Sequence, residues 1–205
     1  MPRKPRLISP GTIYHVTVRG NNQQKIFKSI ADRLKYLSIL KKLKEKYKFK
    51  CFAFCLMPNH VHLLIIPSKI GSISEILHDL NLAYSKYFRR KHRYSGHLYQ
   101  DRFYSTLINS ERYLWIVSRY IHLNPVKAGL CQRPEDYQWS SYRIYFKQEF
   151  QDNLIDKKEL LDTYFPGKGW KEEEKVEAYK KFVEEGLALK EEEYQRVAKE
   201  LKLTD

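Results

Sequence analysis

Along the first two thirds of the chain the apolar positions switch between a period of two and a period near 3.6, and each switch marks an element boundary. Ile13 to Arg19 alternates as a β-branched strand and ends at Gly20-Asn21-Asn22, a turn signal. Ile30 to Tyr47 has helical spacing, with Leu34, Leu37, Leu40 and Leu43 predicted to face inward and Lys35, Lys41, Lys42 and Lys46 to face water. Phe49 to Leu56 reads as a second strand, and Pro58-Asn59 suits the centre of a β-turn leading into a third, His60 to Ile66. Ser72-Ile73-Ser74-Glu75 has capping-box spacing and opens a helix carrying Ile73, Ile76, Leu77, Leu80, Ala83, Tyr84, Tyr87 and Phe88 inward, closed by Arg89-Arg90-Lys91. Arg102 to Ile108 is a fourth strand, and Ser110 to Leu123 a further helix expected to stop near Asn124 because Pro125 disfavours helical geometry before it.

Strand, helix, strand, strand, helix, strand is the order of an α+β, ferredoxin-like antiparallel sheet with helices on one face. The helix bearing Tyr120 is an addition to that plan. The strands that precede helices are expected at the centre of such a sheet. Residues 1–150 are read as one domain. Residues 151–205 change character: Lys171 to Glu185 and Lys190 to Leu203 are charged, helical and poor in large apolar residues, a C-terminal tail expected either to pack back over the domain or, preferentially, to remain a solvated appendage.

The formal net charge of +14 is unevenly divided. The tail holds 11 basic and 15 acidic residues, which leaves 27 basic and 9 acidic residues in the first 150, a local net of +18. The chain's sixteen tyrosines and three tryptophans, most of them in the same 150 residues, interleave with the basic residues, so nucleic acid is a better partner than a membrane surface. No apolar run approaches the roughly 18 residues of a membrane span, and the expectation is a cytoplasmic, nucleoid-associated protein. Three cysteines, Cys51, Cys55 and Cys131, are too few and odd in number for a disulfide framework.

The chemistry concentrates in two segments. His60 and His62 stand at i and i+2 on a strand, so both imidazoles project from one face while Val61 projects from the other, a geometry that can hold one divalent ion. Tyr120 and Asn124 stand one helical turn apart and offer a phenol and an amide oxygen on a common face. Each has a plain structural alternative: paired histidines can simply pack, Tyr120 can be core, and Asn124 can close a helix. Their joint occurrence points to metal-assisted attack of a tyrosine on a phosphodiester. Neutral imidazoles and an amide leave the cation its full charge; Mn²⁺ accepts imidazole readily, while Mg²⁺ prefers oxygen. A tyrosine keeps the energy of the broken phosphodiester in a covalent link, which strand transfer needs and hydrolysis does not.

These residues, together with Tyr14-His15-Val16-Thr17, Arg19-Gly20-Asn21, Gly96 to Phe103, Arg119 to Gly129 and Trp139-Ser140-Ser141-Tyr142, make the chain resemble the single-tyrosine transposases with a histidine–hydrophobic–histidine motif (HUH), and within them the REP-associated tyrosine transposases. The resemblance covers about residues 10 to 145. It implies a metal, Mg²⁺ or Mn²⁺, held by His60 and His62 with a third ligand from the tyrosine helix, and a nucleophile at Tyr120. Related transposases often carry a Gln four residues after the tyrosine; Asn124 is one methylene shorter. The implied reaction cleaves single-stranded DNA, leaving a 5′ phosphotyrosine and a free 3′ hydroxyl, and the implied substrate is a REP-like palindrome folded as a hairpin. Either a monomer or a homodimer is compatible with it.

For DNA contact the sequence nominates an N-terminal arm of Arg3, Lys4 and Arg6, a patch of Arg89, Arg90, Lys91 and Arg93, and Arg102. Arg19 shares a strand face with His15, and substrate contact and simple packing are both open to that pair. The rival from another class is a hairpin-binding repressor or genome-organising protein that does not cut. An RNA-binding ferredoxin-like domain is a third reading, weakened by the lack of Lys/Arg-Gly-Phe-type strand motifs.

Overall fold

The computed structural model describes residues 11–146, 152–165, 169–189 and 191–200; Arg3, Lys4 and Arg6 lie outside them. Four strands, β1 (Ile13–Arg19), β2 (Lys50–Leu56), β3 (His60–Ile66) and β4 (Tyr104–Ile108), form one antiparallel sheet in the order β2-β3-β1-β4. The strands that lead into helices are therefore central, as the ferredoxin-like plan requires. Helices α1 (Ile30–Tyr47) and α2 (Ile73–His92) pack on one face; α3 (Glu111–Lys127) adjoins β2, β3 and β4.

On β1, Tyr14, Val16 and Val18 alternate with His15, Thr17 and Arg19, and all but Arg19 are buried. Both faces of the central strands are thus covered. The buried stripe of α1 runs through Tyr36, Leu37, Leu40, Leu43 and Tyr47, whereas Leu34, expected inside, is 45 % exposed. The apolar positions of α1 form a band wider than a single heptad seam, and Asp32 and Tyr36 occupy the place on the inner face that Leu34 would need.

Asp32 is fully buried and accepts hydrogen bonds from the Lys28 and Ser29 amides, the Tyr87 hydroxyl, Lys91 Nζ and His92 Nε2 at 2.7–3.1 Å. The carboxylate caps α1 and ties its start to the end of α2. Burial alone would raise its pKa, but these donors, led by Lys91 and His92, hold it below the usual carboxylate range. Ser72 and Glu75 form the predicted capping box at the start of α2.

β2 is an edge strand whose outward backbone groups are nearly all taken. Asp156 bonds Cys51, the Tyr145 hydroxyl donates to Phe52 O, Ser141 Oγ accepts from Phe54 N, Leu56 N donates to Trp139 O, and the Tyr137 hydroxyl donates to Leu56 O. Residues 137–145 and Asp156 thus seal this edge against pairing with another chain.

Besides Leu34, two features differ from the sequence reading. Helix α3 continues through Pro125 to Lys127, because Pro125 is itself buried along with Ile121 and Leu123, and that burial offsets the missing backbone bond. The tail is not a solvated appendage: α4 (Lys157–Tyr164), α5 (Glu172–Glu185) and α6 (Glu191–Glu200) return to the domain. Tyr179 and Val183 of α5 are fully buried, and Gly186 sits so close to Leu123 and Arg119 of α3 that a side chain there would collide with both.

Replacing Asp32 with Ala strands Lys91 and His92 and removes the α1 cap; we expect a loss of about 3 kcal/mol, roughly 6–12 °C in Tm, read by thermal unfolding at pH 7. Because the folded pKa is depressed, this contribution is present above the ordinary carboxylate pKa of about 4 and is lost as pH falls towards the folded value. The wild-type advantage over Asp32→Ala should therefore shrink in acid, and an advantage that is constant between pH 7 and pH 3 would count against the network.

Candidate active site

Antiparallel pairing of β1 with β3 sets Arg19 opposite His60 and Thr17 opposite His62, with His15 one step along. All five side chains share the α3 face. Gly20 lets the chain turn there: its amide donates to Asn59 O at 2.8 Å, and a side chain at this position would collide with the Gln24 carbonyl. The hairpin that presents His60 is thereby pinned to the end of β1.

The His60 and His62 rings are perpendicular, with centroids 4.8 Å apart. His60 Nδ1 lies 2.7 Å from Asn59 Oδ1, which can only accept, so Nδ1 carries the ring proton and Nε2 keeps its lone pair. Burial, followed by the Arg19 charge, lowers the His60 pKa to about 4 and keeps the ring neutral. His62 is 1 % exposed and is held neutral by burial, then by His60, His15 and Arg19. Its Nε2 is buried with no hydrogen-bond partner.

His62 Nδ1 is 3.0 Å from His15 Nε2 and 3.4 Å from Thr17 Oγ1. His15 is fully buried, with a pKa lowered to about 3 by desolvation. If His62 places its proton on Nδ1, His15 Nε2 accepts that hydrogen bond and the lone pair stays on His62 Nε2. The pair thus fits a cation in its chemistry: two neutral imidazoles, one with an orphaned buried nitrogen, and a second layer of hydrogen bonds that fixes ring orientation. Among the described residues no cluster of three or more His, Cys, Asp or Glu has ligand geometry.

Helix α3 brings Tyr120 to this face. Its ring is edge-on to His62, with centroids 5.7 Å apart, and 6.3 Å from His15. Asn124 Nδ2 donates to the Tyr120 carbonyl at 2.8 Å, which leaves its Oδ1 as the uncommitted end of the amide. Tyr120 is 7 % exposed, because Tyr194 of α6 stacks on it at 5.2 Å with planes 17° apart and donates to its carbonyl at 3.2 Å.

A buried chain of hydrogen bonds fixes α3 from behind. Ser141 Oγ accepts from Phe54 N, His122 Nε2 lies 2.9 Å from Ser141 Oγ, and the Tyr179 hydroxyl lies 2.8 Å from His122 Nδ1 and 3.1 Å from Ser118 Oγ. One protonation pattern pairs both nitrogens of a neutral His122: Ser141 donates to Phe54 O, His122 donates from Nε2 to Ser141 Oγ, and Tyr179 donates its one proton to Nδ1, while Ser118 Oγ donates to Trp115 O. Burial lowers the His122 pKa to about 3, in keeping with that neutral tautomer.

Of the nominated DNA contacts, Arg89, Arg90, Arg93 and Arg102 are exposed, Arg19 lies beside the histidines, and Lys91 is engaged with Asp32 and Ser29. Sequence reasoning left His15 undecided and did not find Tyr179, Tyr194 or His122. The His15-x-Thr17 alternation, set against His60-x-His62 in an antiparallel pair, was a usable signal for the first. The tail tyrosines carry none, since only the fold brings them to α3.

A family model described as "Transposase IS200 like" matches residues 9–124, more than half of the chain. A Haemophilus influenzae relative described as a REP-associated tyrosine transposase is 28 % identical over 156 residues, which span 70 % of this chain and 87 % of that protein. A solved structure of a REP-associated tyrosine transposase bound to a REP hairpin superposes with a TM-score of 0.58 at 21 % identity, covering 70 % of this chain and 84 % of that one. That likeness is one of fold.

If His15 orients His62, then His15→Phe keeps the fold and weakens Mn²⁺ binding roughly 10–100-fold by calorimetric titration. Unchanged affinity would make His15 a packing residue. Tyr179→Phe, which breaks the bonds to His122 and Ser118, is expected to cost about 1 kcal/mol in denaturant unfolding.

Proposed function

The chain belongs to the IS200-like transposase family, and we propose that it is a metal-dependent endonuclease and strand-transferase of single-stranded DNA, acting on palindromic hairpins through a phosphotyrosine at Tyr120. The observation that carries this reading is the Tyr120 ring packed edge-on against His62 of the His60–His62 pair, whose two imidazoles are kept neutral by burial.

His60 and His62, through Nε2, and the Asn124 amide oxygen would hold the cation; bound there, a divalent ion draws charge from a phosphate oxygen, an effect worth several kcal/mol. Nitrogen donors favour Mn²⁺ in vitro. Asn59 and His15 hold the two imidazoles in orientation. The Tyr120 phenol oxygen attacks phosphorus, the bond from phosphorus to the 3′ oxygen breaks, the phenol gives up its proton, and the departing oxygen gains one. Phenolate formation at neutral pH costs roughly 4 kcal/mol for an unperturbed tyrosine, so the site has to favour the anion. The product is a 5′ phosphotyrosine whose bond energy a DNA 3′ hydroxyl can recover by the reverse attack. The basic surface supplies phosphate contacts that position the hairpin. Reaction also requires the Tyr194 ring to leave Tyr120, since the nucleophile is otherwise covered.

Incubation with labelled hairpin DNA and Mn²⁺ should give a denaturant-resistant protein–DNA adduct that EDTA and Tyr120→Phe abolish. Salt-sensitive binding without an adduct under any metal would instead favour the non-cutting repressor. Tyr194→Ala, which uncovers the nucleophile, should speed adduct formation; slower formation would show that the tail ring assists the reaction.

A further inference from the structure

A pocket of about 470 Å³ lies where α4 and α5 return onto α3, over Arg112, Trp115 and Arg119, which stand three and four residues apart and so share one face of that helix. Its size falls within that of sites which enclose small organic ligands, roughly 300–1,000 Å³. Three rings wall it: Trp115, Tyr164 of α4 and Phe182 of α5, with centroids 4.1, 5.9 and 6.0 Å apart pair by pair. Its charged members are Arg112, Arg119 and Glu111, two cations against one carboxylate.

Donors outnumber acceptors in this lining. Arg119 is half-buried, yet no carboxylate among the described residues forms an ion pair with it. Its guanidinium lies over the Phe182 ring, 4.4 Å from the centroid, and its hydrogen bonding among the described residues is one long contact, from Nη1 to Phe182 O at 3.5 Å. A guanidinium carries five N–H donors, so most of this fork has no protein acceptor. Burial lowers its pKa from the usual guanidinium range, and the Glu185 charge acts the other way from beyond ion-pair distance. Trp115, 3 % exposed, adds a buried indole N–H with no acceptor. Cation–π attraction to Phe182 offsets part of the cost of withdrawing the charge from water, but the ring accepts none of the in-plane N–H bonds. An anionic acceptor would recover the remainder.

We propose that this pocket binds a phosphate carried on a small planar apolar body, with the Arg119 fork and Arg112 on the phosphate oxygens, the Trp115 N–H as a neutral donor, and the body against Tyr164 and Phe182. Neither the histidines nor Tyr120 takes part, so the site is independent of the DNA-cleaving reading. The planar fork matches two phosphate oxygens at once, which the point charge of a lysine does not. Because the walls come from three helices, an occupant bridges the domain and its tail and stabilises their docked arrangement by linkage. Such a phosphate has two sources, a free small molecule and a DNA backbone.

The test uses the full chain and two probes, phenyl phosphate and inorganic phosphate, followed by calorimetry and by the ¹H–¹⁵N signals of the three indole N–H groups, assigned through Trp139→Phe and Trp170→Phe. Phenyl phosphate should bind about tenfold more tightly than inorganic phosphate, since only it fills the apolar walls, and should move the Trp115 signal while that of Trp139 stays in place. Arg119→Met, which keeps a stem of similar length on Phe182, should weaken phenyl phosphate about tenfold, and Arg119→Lys should restore little of the loss. The wild-type Tm should climb with phenyl phosphate, and that of Arg119→Met should not. Should Arg119→Met melt well below wild type without ligand, Arg112→Met at the exposed rim is the second variant, expected to weaken binding about threefold. A Trp115 signal that phenyl phosphate leaves unmoved, equal affinity for the two probes, or full affinity in both arginine variants overturns the site. Displacement of phenyl phosphate by a blunt DNA hairpin assigns the phosphate to a DNA backbone, and undiminished binding beside the hairpin assigns it to a free small molecule; either supports the site.

Discussion

The register between β1 and β3 is the constraint on which the site depends. Side chains alternate along a strand, so a slip of one residue would turn His60 and His62 into the α1/α2 core and bring Val61 to the catalytic face. The register is held at both levels of the fold. Val61, Leu63 and Ile65 face inward opposite Val18, Val16 and Tyr14, all buried, and any slip would expose them. Gly20 then locks the open end by its bond to Asn59. The core thus fixes where the imidazoles point, at no cost to the chemistry.

Tyr120 is delivered by a different device, since α3 is not part of the ferredoxin-like plan. The helix is gripped between the sealed β2 edge and α5 by the Ser141–His122–Tyr179 chain, whose members are buried and mutually satisfied. His122 lies two residues from Tyr120, on the opposite side of the helix, so bonds on one side set the rotation of the phenol on the other. The acidic tail therefore has a structural share in the candidate active site: α5 supplies Tyr179, and α6 supplies the Tyr194 ring that covers Tyr120.

Local patterns made the framework legible. Period-two and period-3.6 runs gave the four strands and three main helices, and Ser72-x-x-Glu75 announced α2 because a capping box is read within four residues. His60-x-His62 could be placed on one face by strand geometry alone. What depends on distant partners was not readable. Leu34 looked like core until Asp32 and Tyr36 took the inner face, Pro125 looked like a stop until its burial carried α3 onward, and the tail looked solvated because its few inward residues, Tyr179, Val183 and Tyr194, are widely spaced among charges. Lys91 was nominated with its neighbours for DNA contact, and in the fold it answers a buried carboxylate 59 residues away.

The treatment of buried polar groups separates scaffold from site. Asp32 and His122 are fully satisfied by protein partners, and both sit where elements are joined. His62 Nε2 is buried without a protein partner. Orphaned atoms alone do not mark a site, for Tyr36 carries one too. The distinction lies in convergence: beside His62 stand a second neutral imidazole and a phenol. A fold that leaves such groups unpaired gives up stability at those points, and the loss is recovered only when something from outside supplies the missing atoms.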